Sequence, residues 1–342
     1  MSTGTAGRGT VAGQTIAGVD TTAGRRLPGP HAATLTALRG AGLDPADVVR
    51  VVRAALDEDF RYGADVTSAA TVAGQTVTAS VVAREAGVLA GGPVALAVLD
   101  LLPEYLGAGG AAPRVSVTLL AADGTRVTPG DPVLRVSGDA VAVLGAERTM
   151  LNFLTHLSGV ATITRAWADA IAGTGAVVRD TRKTLPGLRV LQKYAVRCGG
   201  GENHRMGLGD AALVKDNHVA AAGGIGAAVR AVLASGRPGL VTEVECDTVG
   251  QVREALAAGA RFILLDNMPV PVLREAVAAA RAYDGVRLEA SGGLRLANAR
   301  EVAATGVDYL SVGGLTHSSA ALDLGLDYGG SALADRRSWS RP

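Results

Sequence analysis

From Val177 onward the chain repeats one pattern. A short apolar run rich in β-branched residues ends in a polar residue or glycine, and an alanine-rich helical stretch follows. The runs are VVRDT, AALVKD, LVTEVEC, RFILLDN, VRLEAS and DYLSVGG, separated by stretches such as GIGAAVRAVLAS, VGQVREALAAG and VPVLREAVAAARAY. Alternation of this kind predicts a parallel sheet covered by helices on both faces. Six consecutive units predict a parallel α/β barrel, complete or incomplete, rather than a flat doubly wound sheet. Apolar residues make up 48% of the 342 positions and aromatics only 3%, so alanine, valine and leucine carry the packing.

The chain before this region has a different rhythm. Between Ala32 and Leu56, apolar residues recur at helical spacing, with Asp44 and Pro45 placed as N-cap and first helical residue. Residues 71–140 read as mostly antiparallel α+β structure. TVTASVVA alternates as a half-buried strand does, and Asp123-Gly124 and Pro129-Gly130 mark turns. A connecting helix is expected over Leu144–Leu157 and another over Val160–Ala172. The expected organisation is a disordered tail (1–30), an N-terminal α+β domain (31–145), an α/β barrel (146–318) and a C-terminal segment (319–342). That segment is expected to return to the first domain and fray at its end.

Charge and cysteine content narrow the function. Thirty-three Lys and Arg against 32 Asp and Glu give a net charge of +1, which argues against nucleic-acid binding. The two cysteines, Cys198 and Cys246, lie far apart, in neither a zinc nor a disulfide spacing. No apolar run is long enough for a membrane span, and the first residues do not read as a secretory signal. The expected location is the cytoplasm.

In a parallel barrel, functional groups gather at the C-terminal ends of the strands. Those ends are Asp180-Thr181-Arg182-Lys183, Lys215-Asp216-Asn217, Glu245, Asp266-Asn267, Ser291-Gly292-Gly293 and Gly313-Gly314. Cations close the first two strands, carboxylates the next two and glycines the last two. His204 and Arg205 follow a glycine corner between the first two. Arginine grips carboxylates with paired hydrogen bonds and lysine acts as a point charge, so the set suits a dicarboxylate or a phosphorylated ligand. Arg189, Lys193 and Arg197 repeat every four residues on a helix from Leu188 to Cys198, which describes a solvated face, and they are left out of the site.

Glu245 and Asp266 suit Mg²⁺, a hard cation that takes oxygen ligands, or a positive centre developing in a substrate. Buried carboxylates satisfied by backbone donors or Lys215 are the alternative. Glu243 shares the face of Glu245 by strand alternation, so the choice between them stays open. Glycine loops after late strands commonly bind phosphate through backbone N–H groups, though they also serve as plain turns.

The segments ERTMLNFLTHLSGVAT, DTRKTLPGLRVLQKYAVRCGGGENHRMGLGDAALVKDNH, EVEC, LLDNM and EASGGL, in that order, resemble the quinolinate phosphoribosyltransferases. The resemblance runs from about Ala55 to Ser318. It implies an N-terminal α/β domain, an open barrel and conversion of quinolinate and phosphoribosyl pyrophosphate to nicotinate mononucleotide, pyrophosphate and CO₂ with Mg²⁺. It implies a homodimer with shared active sites, or a higher assembly. Carried over by position, Arg182, His204, Arg205 and Lys215 meet the quinolinate carboxylates, and Arg148 reaches them from the partner subunit. Thr181 joins the substrate-binding set, and Lys183 lies near pyrophosphate and substrate. Glu245 and Asp266 face the ribose and its magnesium. The Ser291-Gly292-Gly293 and Gly313-Gly314 loops hold the 5′-phosphate, while His218 and His317 are expected to be structural. The chain departs from the family pattern in its long N-terminal tail and in the reading Gly63-Ala64-Asp65, where glycine usually precedes the aspartate directly.

Overall fold

The computed structural model describes residues 29–106, 114–235 and 237–329. The expected tail up to residue 28 and the expected frayed end beyond residue 329 lie outside the described residues.

Helices α1 (Ala32–Gly40), α2 (Pro45–Asp59) and α3 (Val66–Thr71) open the chain. The Asp44 side chain accepts from Ala46 N–H and Pro45 sits in the first turn of α2, so α2 starts where its cap and proline dictate. Its buried stripe is Val48, Val51, Val52 and Leu56. Strands β1 (Thr76–Ala83) and β2 (Gly87–Val88), helix α4 (Gly92–Leu101), and strands β3 (Val115–Leu119), β4 (Arg126–Val127) and β5 (Pro132–Asp139) follow. β1 alternates as expected, burying Ala79, Val81 and Ala83.

Helix α5 (Ala140–Ala170) is one continuous 31-residue rod where two helices were expected. Ser158-Gly159 does not interrupt it. Gly159 instead permits a close crossing, since a Cβ there would lie 1.9 Å from Ala320 O. The C-terminal segment passes over α5 at this point, and Leu322 N–H donates to Thr155 O at 2.9 Å.

The second half contains β6 (Val177–Arg179), α6 (Arg189–Cys198), β7 (Ala211–Val214), α7 (Asp216–Ala222), α8 (Ile225–Ala234), β8 (Val241–Cys246), α9 (Val249–Ala257) and β9 (Phe262–Asp266). It continues with α10 (Val270–Ala280), β10 (Arg287–Ser291), α11 (Ala299–Ala303), β11 (Tyr309–Ser311), α12 (Gly314–His317) and β12 (Leu324–Tyr328). Six parallel strands pair in the order β6-β11-β10-β9-β8-β7. The ladder is open between its edges β6 and β7, so the barrel is incomplete. At the opening the chain around Glu202 runs beside β6: Glu202 N–H donates to Val178 O at 2.9 Å and Asp180 N–H to Glu202 O at 3.2 Å. Four consecutive residues of β9, Phe262 to Leu265, are buried, as expected of a strand covered on both faces.

The N-terminal sheet has the order β12-β1-β5-β3, and its edge strand β12 comes from the far end of the chain. β12 pairs antiparallel with β1, from Ala79 opposite Tyr328 to Ala83 opposite Leu324. No helix among the described residues is long and apolar enough to cross a membrane.

Candidate active site

The strand ends of the barrel enclose a cavity of about 530 Å³. Its polar lining includes Thr181, Arg182, Lys183, His204, Arg205, Lys215, Glu245, Asp266, Ser291 and Gly292. A second cavity of about 370 Å³ shares Thr181, Lys183, Ser291, Gly292 and Ser311 with the first and adds Gly293, Gly313 and Gly314. Thirteen of the fourteen site residues expected from sequence therefore line two adjoining spaces. Arg148 lines neither and is exposed on α5.

The loop after β6 is fastened at several points. Lys183 N–H donates to Thr181 Oγ1 at 3.0 Å. Arg189 donates to Thr184 Oγ1 at 3.2 Å, Met206 O at 3.0 Å and Arg182 O at 3.4 Å. Arg189 is thus a brace between the Arg182 and Met206 loops rather than part of a solvated face. Lys193 corrects that expectation more sharply: it is fully buried, its ammonium paired with the equally buried Asp180 carboxylate. Lys193 Nζ also donates to His204 O at 2.8 Å. Burial pushes the Asp180 carboxyl up and the Lys193 amine down, and in each case the partner opposes the shift. Asp180 further accepts from His204 N–H at 2.9 Å and from Asn203 Nδ2 at 2.6 Å. Arg197 is exposed but also engaged, donating to Asn203 Oδ1 at 2.9 Å and to Ala41 O at 3.0 Å. The helical period was right for α6, but packing decided which cations are immersed.

These contacts fix the segment that presents His204 and Arg205. His204 Nδ1 accepts from Arg205 N–H at 2.7 Å, so the ring hydrogen sits on Nε2, which lies 2.9 Å from Glu243 Oε2. Both ring nitrogens are occupied by protein. His204, Glu243 and Glu289 are close enough together to suggest a buried metal site. The tautomer argues otherwise, because Nε2 carries a hydrogen and has no lone pair for an ion. Glu289 is already held by Arg179 on one oxygen and Ser311 on the other. Burial raises its carboxyl, the nearby Glu243 adds to the rise, and Arg179 opposes it. Glu243 is buried beneath the cavity, whereas Glu245 lines it. Strand alternation puts them on one face; depth along the barrel separates them.

The cationic side of the cavity is set by Arg182 and Arg205, with Asp210 and Glu243 the acids nearest Arg205. Burial lowers the Arg205 guanidinium and the nearby Arg182 lowers it further, while Asp210 and Glu243 oppose the shift. The Nε atoms of Arg182 and Arg205 are buried without a hydrogen-bond partner. Arg205 Nη1 donates to Ala211 O at 3.1 Å, and both guanidinium side chains line the cavity, where such cations suit an anion. Lys215 instead pairs with Glu245 at the end of the neighbouring strand.

On the opposite side, Asp266 accepts from Asn267 Nδ2 at 2.6 Å. Asn267 has φ +52°, a left-handed conformation uncommon for a non-glycine residue. Gly292 has φ +80°, and a Cβ on it would lie 2.2 Å from Asn267 Oδ1. A Cβ on Gly313 would lie 3.3 Å from Lys183 Cδ and 3.1 Å from His317 Nε2. His218 caps α7 by accepting from Lys215 N–H at 2.9 Å.

Sequence reasoning left out Leu213, Leu264, Asn267 and Ser311, which also line the main cavity. Asn267 was visible as the residue after a strand-end carboxylate, and strand alternation points to the others. Gln192, Glu289 and Arg179 carried no such signal, because their roles depend on partners distant in sequence.

Residues 65–158 match the model of the quinolinate phosphoribosyl transferase N-terminal domain, and residues 160–327 match that of its C-terminal domain. The chain belongs to the quinolinate phosphoribosyltransferase family. It is 56% identical over 279 residues to nicotinate-nucleotide pyrophosphorylase (carboxylating) of Mycobacterium leprae, covering 81% of this chain and 95% of that protein. A probable enzyme of the same name from Bacillus subtilis is 39% identical, over 79% of this chain and 89% of the relative. The solved structure of the nicotinate-nucleotide pyrophosphorylase from Francisella tularensis superposes with a TM-score of 0.76 at 38% identity, covering 83% of this chain and 96% of that one. The departure at Gly63-Ala64-Asp65 lies outside both cavities, and Asp65 there caps α3 by accepting from Thr67 and Ser68 N–H.

Proposed function

We propose that this transferase moves the phosphoribosyl group from phosphoribosyl pyrophosphate to quinolinate, with decarboxylation, in NAD biosynthesis. The observation that carries the reading is the convergence of Arg182, Arg205 and Lys215 with Glu245 and Asp266 on one cavity. A dicarboxylate needs such cations, since its desolvation would otherwise prevent binding. Lys215 joins them, and Arg148 from a second copy of the chain completes the carboxylate pocket of a homodimer. His204 contributes chiefly by holding Arg205, because its ring nitrogens are already engaged.

The pyridine nitrogen of quinolinate attacks C1 of the ribose, and the C1–O bond to pyrophosphate breaks with its electrons leaving on oxygen. Positive charge develops at C1, where Glu245 and Asp266 stabilise it. Lys183, at the junction of the two cavities, meets the leaving pyrophosphate. The ring nitrogen is then positive, so the adjacent carboxylate departs as CO₂ and leaves its electron pair at C2, which takes up a proton. Ser291, Gly292, Gly293, Gly313 and Gly314 receive the 5′-phosphate through backbone N–H groups. Glu245 and Asp266 would also suit Mg²⁺: both are carboxylates at the ends of adjacent strands lining the cavity, and Lys215 would have to release Glu245 for it to serve. When bound, Mg²⁺ neutralises the leaving pyrophosphate. The two unpaired cysteines suit a reducing cytoplasm.

The deciding experiment supplies quinolinate, phosphoribosyl pyrophosphate and Mg²⁺, then follows nicotinate mononucleotide and CO₂ together. Equal release of both is expected. Efficient use of nicotinate in place of quinolinate would overturn the decarboxylating assignment, and binding without turnover over hours would point to a sensor of phosphorylated sugars.

A further inference from the structure

Lys183 sits where the two cavities meet, but its own side chain does not fix it there. It is exposed and forms no ion pair among the described residues. Its backbone is held instead. Thr316 Oγ1 donates to Lys183 O at 2.7 Å. The Thr316 carbonyl accepts from Gln192 Nε2 at 2.6 Å. Gln192 Oε1 accepts from Leu185 N–H at 2.9 Å, two residues beyond Lys183. Gln192 is fully buried on α6, and Thr316 is almost so.

The orientation of this amide follows from its partners. Leu185 N–H can only donate and Thr316 O can only accept, so the oxygen and nitrogen of Gln192 are assigned without ambiguity. The remaining Nε2 hydrogen points to His156 Nε2, 2.9 Å away. That nitrogen must therefore be an acceptor, which makes His156 neutral with its hydrogen on Nδ1. One side chain thus ties together α5, the loop that carries Lys183 and the turn after β11.

We propose that Gln192 is a positioning residue that sets Lys183 at the junction of the two cavities, acting through Thr316 and Leu185 and supported by His156. This rests on the reading above that Lys183 works at the reacting centre. Arg182 is fastened separately, through the bonds from Arg189 to Arg182 O and Thr184 Oγ1. Loosening the Gln192 grip therefore displaces Lys183 more than the carboxylate-binding arginine. The loss falls on kcat and largely spares the KM for quinolinate.

Thr316→Val removes the hydroxyl at nearly constant shape and tests the link to Lys183. Displacing a reacting group by a fraction of an ångström to an ångström costs on the order of 10- to 100-fold in rate, so a kcat loss in that range is expected. The KM for quinolinate should stay within about 2-fold, because its binding contacts remain. Thr316→Ser should restore most of the turnover, and Gln192→Met should reproduce the kcat loss. Independently of activity, ¹⁵N-histidine NMR should find His156 in the Nδ1–H tautomer. Wild-type kcat in Thr316→Val, parallel changes in kcat and KM, or an Nε2–H tautomer would each overturn the proposal. Should Gln192→Met not fold, the two Thr316 variants still decide. Wild-type turnover in Lys183→Ala sinks the reading of Lys183 itself. An inactive Lys183→Ala beside an unaffected Thr316→Val sinks the role of Gln192 alone.

Discussion

Lys193 and Asp180 form an ion pair in which neither side chain retains exposed surface. The pair holds the His204 backbone from both sides, since Lys193 donates to its carbonyl and Asp180 accepts from its N–H. Lys193→Met should leave the Asp180 carboxylate buried and uncompensated, which typically costs about 3–5 kcal/mol. Urea unfolding at neutral pH measures the loss. A change under about 1 kcal/mol would show that the site relaxes by admitting water or a proton.

Burial holds the His156 imidazole below its ordinary pKa, and the charged or titratable groups lining the same cavity are Arg50, Glu58 and Asp59 on α2. A histidine whose folded pKa is depressed binds fewer protons folded than unfolded. Its contribution to stability is complete above the unfolded value and falls as pH drops from about 6.5 toward the folded pKa. The thermal midpoint should therefore fall between pH 7.5 and pH 5.5 more in the wild type than in His156→Gln. Equal falls would assign the acid sensitivity to other groups.

Lys183→Ala removes an exposed cation and should leave the fold intact. Loss of a group that meets charge on the leaving pyrophosphate should lower turnover by about 100-fold or more. Circular dichroism alongside single-turnover kinetics separates the two effects. Wild-type turnover would remove Lys183 from the mechanism.

Arg148 is exposed on α5, outside both cavities of its own subunit. If it completes the partner's pocket, Arg148→Ala and Lys183→Ala should each be nearly inactive alone, yet recover activity when mixed and re-associated. A randomly mixed dimer with one intact site would reach about a quarter of wild-type activity, because half of the dimers are hybrids and each carries one complete site. No recovery in mixtures shown to exchange subunits would count against a shared site.

Gly292→Ala should strain the loop that faces Asp266. The left-handed φ costs about 1 kcal/mol for a residue with a Cβ. The new Cβ also collides with Asn267, displacing the side chain that bonds Asp266. A raised KM for phosphoribosyl pyrophosphate with a small loss of stability is expected. Unchanged kinetics would show that Asn267 can rotate away without consequence.

The division between what was legible in the chain and what was not follows a physical line. Strand–helix alternation is a local property, and it located the barrel strands and the ends that carry Arg182, Lys215, Glu245 and Asp266. Cap and turn chemistry is local as well, so Asp44 and Pro45 marked the start of α2. Helical spacing grouped Arg189, Lys193 and Arg197 on one face, but it carries no information about what that face meets. Lys193 is buried because Asp180 lies beside it in space, Arg189 braces two loops, and Gly159 marks a crossing with residue 320 rather than a break in α5. The same limit hid Gln192, whose three partners lie on three different segments. The sequence by itself determined the order of elements and the chemistry at the strand ends. The tertiary structure alone decided which polar groups are buried, which partners satisfy them and which nitrogen of His204 carries the hydrogen. Those outcomes depend on burial and on hydrogen bonds between residues far apart in the chain.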